Sequence, residues 1–538
     1  MEPTGALNTG PEAQAGVHLY RRLLSLRVLL FCAIALVAVA LRFAALNRIP
    51  PGVCSDEALN GNEGIHAVES RSFKVFYPTN NGREGLWINM VGISELIFGV
   101  SPFGLRFWSA LVGSCTVFVL YLLGTELFSV RTALFSSWLL AVSFWHVKFS
   151  RIAFRAILVP LFLGVSIYLL LRALATAGVR ISAKTALLAT AGGFLYGLGF
   201  HSYIAYRFTP LVVILLLTLE LHQALAERQT LRPKLLVIGI WLAATILTAL
   251  PIGIYFLHHP TDFVYRARQV SIVRSPDWPL AFWRAVLRSL GQFSFRGDGG
   301  ITGRSSLLLP PVSLLFGMGI ALACGRSLRG HAEARTYRLL LTWFFIMLLP
   351  AILSGGPSGI RSIGTVVPVF LLAGLGANWI FSKLQNKPVA CALFLIAILA
   401  TGLYDAFRYF YLWPGTPRIS AEFDVPKVEI GHFLNTLPPS TPRYLAVDTN
   451  DDDVRVPYRN SDGSELPLPV GAEVVLFETH GHPTPTILFE DTAPKTAFPA
   501  GSVIVQLYPA TQFFRRLQSS GLHFRTLVAG RIPYIVVQ

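Results

Sequence analysis

The sequence predicts a polytopic α-helical membrane protein ending in a small α/β domain, and three observations carry that reading. Apolar runs of about 20 residues, the length that matches a ~30 Å hydrocarbon core, recur between Val28 and Tyr411. The 538 residues are 53% hydrophobic and only 14% charged, which excludes an ordinary soluble enzyme. After Trp413 the composition shifts to prolines, polar turns and short β-like runs.

The chain is expected to divide into a disordered cytoplasmic N-terminus (1–25), a transmembrane domain (26–412) with outer loops at 47–104 and 257–306, and an extracytoplasmic α/β domain (413–538). Val28 to Leu46 is the first span. Arg21, Arg22 and Arg27 before it put the N-terminus inside, and the run lacks a small-residue cleavage site. Leu86 to Phe98 is interrupted by Asn89, Ser94 and Glu95, so it reads as a helix lying at the interface. Spans follow at Leu105–Phe128, Thr132–Val147, Ile157–Leu171, Leu187–His201, Pro210–Leu221 and Leu235–Phe256. After the second outer loop come Leu307–Ala323, Leu339–Leu353, Gly364–Phe381 and Val389–Tyr411, about 11 spans in all. Within that loop WPLAFWRAVLRSL places Trp278, Phe282, Trp283, Val286, Leu287 and Leu290 at helical spacing, a second interfacial helix.

Five successive inner loops are basic. The net charge of +16 therefore reports orientation in the membrane, and no nucleic-acid partner is expected. In the tail, RYLAVD, PTILFED, SVIVQLY and PYIVVQ read as strands, with KVEIGHFLNTL and TQFFRRLQSSG as helices between them. The five cysteines show neither metal-ligand spacing nor a disulfide pattern; together with the compact loops this leans towards a bacterial plasma membrane, with an archaeal or organellar one as the alternative. His146, His258 and His259 have no second ligand pair, DTNDDD at 448–453 lacks the glycine and glutamate of a calcium loop, and no phosphate-loop glycine pattern is present. No metal or cofactor is expected.

Candidate site residues lie on the predicted outer side. The loop from Pro50 to Leu86 carries Asp56 and Glu57 at one end and Arg83 and Glu84 at the other. Lys148, Arg151 and Arg155 stand at one outer turn, Arg207 follows His201 and Tyr203 at a second, and Arg361 marks a third. Cations there run against the orientation bias and need compensation; a lipid phosphate bound by guanidinium supplies it. On a helical turn Arg151 and Arg155, four apart, face the same way. The plainer readings are that the arginines anchor headgroups and that Asp56 caps a helix, which is compatible with catalysis.

These residues resemble a known group. Asp and Glu soon after the first span, an interfacial helix after them, and an odd number of spans leading to an outer domain are similar to the GT-C glycosyltransferases. The closest group is family 39, the protein O-mannosyltransferase and aminoarabinose transferase superfamily. SDEALNGNEG, NNGREGLWINM, FSRIAFRAILVPLF and GIRSIGTVVPVFLLAGLG carry the resemblance, which covers residues 20–412. It implies a polyprenyl-phosphate-linked sugar as donor and Asp56 as the catalytic carboxylate. Where that group often has proline after the basic residue closing the first loop, Glu84 and Gly85 follow Arg83.

The expected chemistry has Asp56 take the proton from an acceptor hydroxyl or amine as it attacks the anomeric carbon, with inversion. Glu57 orients its neighbours. Some of Arg83, Lys148, Arg151, Arg155, Arg207 and Arg361 stabilise the leaving lipid phosphate, while His201 and Tyr203 line the sugar pocket. The acceptor is a protein, lipid or glycan. The alternative is a transporter or flippase of lipid-linked sugars; its kind keeps ionisable groups at mid-membrane and shows repeated halves, which this sequence lacks. A non-catalytic scaffold is the third reading.

Overall fold

The computed structural model describes residues 11–178, 180–226, 231–274, 276–297, 305–328, 334–448, 454–459, 465–490, 493–508 and 511–538. The run expected at 448–453 therefore lies outside the described residues except for Asp448.

Sixteen helices come first: α1 (Pro11–Phe43), α2 (Ser55–Glu69), α3 (Gly85–Phe98), α4 (Pro102–Leu127), α5 (Val130–Val142), α6 (Phe144–Phe149), α7 (Leu158–Ala175) and α8 (Ala183–Gly199), then α9 (Thr209–Ala226), α10 (Leu231–His258), α11 (Pro260–Val270), α12 (Trp278–Gly291), α13 (Pro310–Leu328), α14 (Ala334–Leu353), α15 (Val366–Leu384) and α16 (Pro388–Phe407). Among the described residues nine helical stretches are long and apolar enough to cross a membrane, so the chain is a multi-pass membrane protein. They account for nine of the 11 expected spans; the other two correspond to α5, of 13 residues, and α8, of 17. At 14 residues α3 is too short to span, in keeping with an interfacial helix. It leaves Leu96 and Ile97 about two-thirds exposed on one face.

Sequence punctuation sets the helix starts. Ser101, Ser129 and Ser182 each accept a bond from the backbone N–H three residues on, at 3.2, 3.2 and 3.1 Å, and Pro102 follows the first of these caps. The span expected at Thr132–Val147 is not one helix. It breaks at Ser143 (φ −58, ψ 122), where the N–H of Phe144 donates to Asp405 Oδ2 of α16 at 3.1 Å. A buried carboxylate thus satisfies the donor that the interrupted helix releases.

Two short elements complete the first loop. Strands β1 (Phe76–Tyr77) and β2 (Arg83–Glu84) pair antiparallel, and α2 packs along α3. That contact is backbone to backbone, since a Cβ on Gly92 would overlap the carbonyl oxygen of Gly64.

Beyond α17 (Pro417–Glu422) and α18 (Val425–Thr436) lie β3 (Arg443–Val447), β4 (Arg455–Arg459), β5 (Glu465–Pro469), α19 (Ala472–Glu478), β6 (Thr486–Phe489), β7 (Val503–Gln506), α20 (Thr511–Ser519), β8 (Phe524–Ala529) and β9 (Ile532–Val537). The main sheet has the order β6-β3-β7-β9-β8: β3 runs parallel to β6 and β7, and β9 antiparallel to β7 and β8. In register, Leu445 faces Ile487 on one side and Val505 on the other. All four expected strands are present; the hairpin β4–β5 and the edge strand β8 are additions that were not expected. This sheet region is continuous with the helices: Val428, Val474 and Phe477 belong to the same buried apolar cluster as Trp87 and Val91 of α3. The first loop is therefore clamped between the bundle and the C-terminal sheet region.

Candidate active site

At the start of α2, three consecutive side chains take three different surroundings. Ser55 gives its backbone N–H and its hydroxyl to Asp424 Oδ2, at 3.0 and 2.6 Å. Glu57 is fully buried: Oε1 accepts from Arg106 Nε at 3.1 Å and from the N–H of Ala153 at 2.7 Å, and Oε2 from Arg106 Nη2 at 3.1 Å and from the N–H of Cys54 at 3.3 Å. Asp56 alone is exposed, and it accepts from Asn80 Nδ2 at 2.6 Å. It faces a cavity of about 700 Å³.

The backbone that brings Asn80 to Asp56 is unusual. Asn80, Asn81 and Gly82 have φ of +47, +65 and +83, three successive left-handed residues. Asparagine tolerates this region best among residues with a side chain. Gly82 is needed for a second reason, since a Cβ there would sit 2.7 Å from the Phe76 ring.

Four of the cations named from the sequence line the cavity: Arg83, Arg155, Arg207 and Arg361. Arg83, 3% exposed, is ion-paired with Glu63 and donates to Asn60 Oδ1 and Thr79 Oγ1, each at 2.7 Å. Glu84 lies behind the wall and holds two others, Arg155 at 3.1 Å and Arg207 at 3.5 Å. Glutamate at this position thus tethers two arginines of the wall, a task proline cannot perform. Arg155 also lies over the Tyr203 ring (5.4 Å), which joins the lining. Arg207 rests on Phe263 (4.3 Å) and donates to its carbonyl at 2.6 Å.

Four more of the named residues do not line the cavity. The chain from Ser150 to Phe154 is not helical, so the four-residue spacing does not put Arg151 beside Arg155. Arg151 is fully buried and donates to the carbonyls of Leu41, Arg42 and Ile49 at 3.0, 2.8 and 2.8 Å, where α1 ends and its carbonyls lack helical partners. Lys148 is buried against the Phe149 ring at 4.7 Å. His201 bonds through Nε2 to the carbonyl of Thr248 at 3.0 Å and does not line the cavity. Glu57 does not line it either; its carboxylate is enclosed with Arg106.

Sequence reasoning missed Arg266. It sits on α11, whose Phe263, Ala267 and Val270 join it along the cavity. Their three- and four-residue spacing is the signal that marks this face. Arg266 donates to Gln269 Oε1 at 2.5 Å and Arg361 to the carbonyl of Ser354 at 3.4 Å. Neither has an ion pair among the described residues. Burial first, and then the positive charge of Arg361, draw the Arg266 guanidinium below its ordinary value. Such crowding favours an anion between them. Pro350, Leu353 and Ile360 make the wall beside Arg361 apolar. Among the described residues no group of three His, Cys, Asp or Glu side chains is placed to hold a metal ion. The arrangement therefore offers one exposed carboxylate in the same cavity as a set of guanidinium groups and an apolar wall.

Comparison with known proteins gives the fold a relation. The family model described as dolichyl-phosphate-mannose-protein mannosyltransferase matches residues 81–264. No curated protein sequence matches the chain. The apo structure of ArnT from Cupriavidus metallidurans superposes with a TM-score of 0.57 at 13% identity, covering 95% of this chain and 97% of ArnT. The same protein bound to undecaprenyl phosphate gives 0.54 at 14% identity, with the same coverage. The oligosaccharyltransferase AglB from Archaeoglobus fulgidus gives 0.47 at 15% identity, and 78% of this chain spans 62% of its length. The resemblance read from the first loop thus holds at the level of architecture, and the chain has the GT-C fold.

Proposed function

We propose that this protein is a membrane glycosyltransferase that moves a sugar from a polyprenyl-phosphate-linked donor to an acceptor on the extracytoplasmic side of a bacterial plasma membrane. The observation that carries this reading is the shared cavity: the exposed carboxylate of Asp56 opens onto the same space as Arg155, Arg266 and Arg361. ArnT, which shares the fold over nearly its whole length, has been seen bound to undecaprenyl phosphate. The orientation follows the basic loops, with residues 1–25 cytoplasmic and 413–538 an outer α/β domain.

In the reaction, the acceptor hydroxyl or amine attacks the anomeric carbon while the bond from that carbon to the phosphate oxygen breaks. Asp56 takes the acceptor proton. The electron pair leaves with the lipid phosphate, whose charge rises by one and is met by the arginines. Attack opposite the leaving group inverts the sugar carbon. Arg83, Arg155 and Arg207 already share Glu63 and Glu84, so Arg266 and Arg361 carry the charge left for the phosphate.

Arg266→Gln and Arg361→Gln are each expected to lower kcat/KM for the donor by roughly 10- to 100-fold, the worth of one charge-assisted hydrogen bond. Initial rates against donor concentration check this, and wild-type rates in both would remove them from the site. The function itself is tested with purified protein in vesicles, radiolabelled polyprenyl-phosphate sugars and an acceptor extract. Labelled product of inverted configuration is the expected result. Labelled lipid crossing the bilayer with no product formed would replace the transferase by a flippase.

A further inference from the structure

Asp424 holds an exceptional position. It is a non-glycine residue in the left-handed region (φ 47, ψ 34) at the start of α18, where an aspartate ordinarily caps its own helix. Its side chain makes no such cap. Instead Oδ2 accepts both the N–H and the hydroxyl of Ser55, 369 positions away in the chain, and Oδ1 is paired with Lys427 Nζ at 2.8 Å. The neighbouring contact is equally close: a Cβ on Gly52 would overlap the carbonyl oxygen of Phe423. The Phe423 ring in turn lies 6.0 Å from the Arg106 guanidinium that holds Glu57. A backbone strained at this one point, with its carboxylate directed to another helix, is the kind of outlier that marks a functional constraint.

The first turn of α2 is thus held from two sides. Glu57 is fixed from the helical bundle through Arg106 and Ala153, and Ser55 is fixed from the C-terminal region through Asp424. Asp56 stands between them and is the member left facing the cavity. Two turns on, Asn62 repeats the tie by donating to Glu473 Oε2 of α19 at 2.6 Å.

We infer that Asp424 is a positioning residue for Asp56, and that the C-terminal region serves the reaction by fixing the entry of α2 rather than by contacting the donor. This inference rests on the reading of Asp56 as the base. It acts through angle and distance, and a displacement of about 1 Å at a reacting group is enough to cost up to a hundredfold in rate.

The test uses Asp424→Gly and Asp424→Asn in the full-length protein. Glycine adopts the left-handed backbone freely and deletes only the carboxylate, so the fold is expected to survive. Asparagine keeps an oxygen that can accept both Ser55 donors. Asp424→Gly is expected to lower kcat roughly tenfold or more with KM for the lipid donor within about twofold, and Asp424→Asn to restore most of kcat. Ser55→Ala, which removes one of the two donors, is expected to fall between. If the glycine variant is unstable in detergent, the serine variant carries the same comparison. Wild-type kcat in Asp424→Gly, or equal losses in the glycine and asparagine variants, overturns the inference. Asp56→Asn run in parallel separates the two claims. An inactive Asp56→Asn beside a fully active Asp424→Gly removes only the positioning role, whereas an active Asp56→Asn removes the base and the inference with it.

Discussion

Asp56→Asn is expected to lower sugar transfer by about 10²- to 10⁴-fold, the usual contribution of a positioned general base. The substitution keeps the volume of the side chain and an oxygen that can still accept from Asn80, so the local geometry is preserved. What is lost is the ability to receive the acceptor's proton. The guanidinium groups that would meet the donor stay in place: among the described residues Asp56 has no ion pair with Arg155, Arg266 or Arg361, and reaches Arg266 only through its charge. Donor binding, measured by retention of labelled lipid on the immobilised protein, is therefore expected to stay near the wild-type value. Thermal stability is also expected to be unchanged, since this carboxylate is exposed. Equal transfer by both proteins would reduce Asp56 to a negative charge at a helix N-terminus, where its presence is explained by the helix dipole alone.

Much of this arrangement could be read before the fold was known, and the misreadings have physical causes. The apolar runs and basic loops revealed the helices because the membrane imposes length and charge placement directly on the sequence. Strands such as Val503–Gln506 and Ile532–Val537 were legible by their β-branched content. The hairpin Arg455–Pro469 was not, because Pro457 and Pro467 face each other across it and proline is disfavoured in strands. Arg151 and Arg155 looked equivalent at four residues apart, and only the loss of helix after Phe149 sends one to the end of α1 and the other to the cavity. Arg266 depends on α11 folding back over the space near Arg361, a tertiary event with no trace in local spacing beyond the face itself. Glu84, which the comparison of motifs showed only as a missing proline, proves to be the common partner of two arginines. The ambiguity in the acidic pair was deeper still, since two adjacent carboxylates at a helix start are alike until their surroundings are known.

Arg106→Met is the reverse of Asp56→Asn: a large loss of stability expected in a residue that touches no substrate. Its guanidinium is fully buried, pairs twice with Glu57, and donates to the carbonyls of Pro50 (3.2 Å) and Gly52. Removing it leaves the Glu57 carboxylate enclosed with no counter-charge, which typically costs about 3–5 kcal/mol. Glu57→Gln in turn leaves the buried Arg106 without its counter-charge, and its single amide oxygen keeps only one of the two backbone bonds, from Ala153 or from Cys54, so a comparable loss is expected. The double variant is the informative one. With both charges gone no unpaired ion remains buried, so Arg106→Met with Glu57→Gln is expected to be more stable than Arg106→Met alone, a coupling that a double-mutant cycle measures directly. Folded fractions after heating in detergent, followed by size-exclusion chromatography, give the three differences. Additive losses would mean that the pair is not coupled and that Glu57 is held by its backbone donors. Coupled losses, set against an Asp56→Asn variant of wild-type stability, would show how one helix start divides its work: Glu57 spends its charge on Arg106 to fix the turn, and Asp56, one residue earlier, keeps its charge for the cavity.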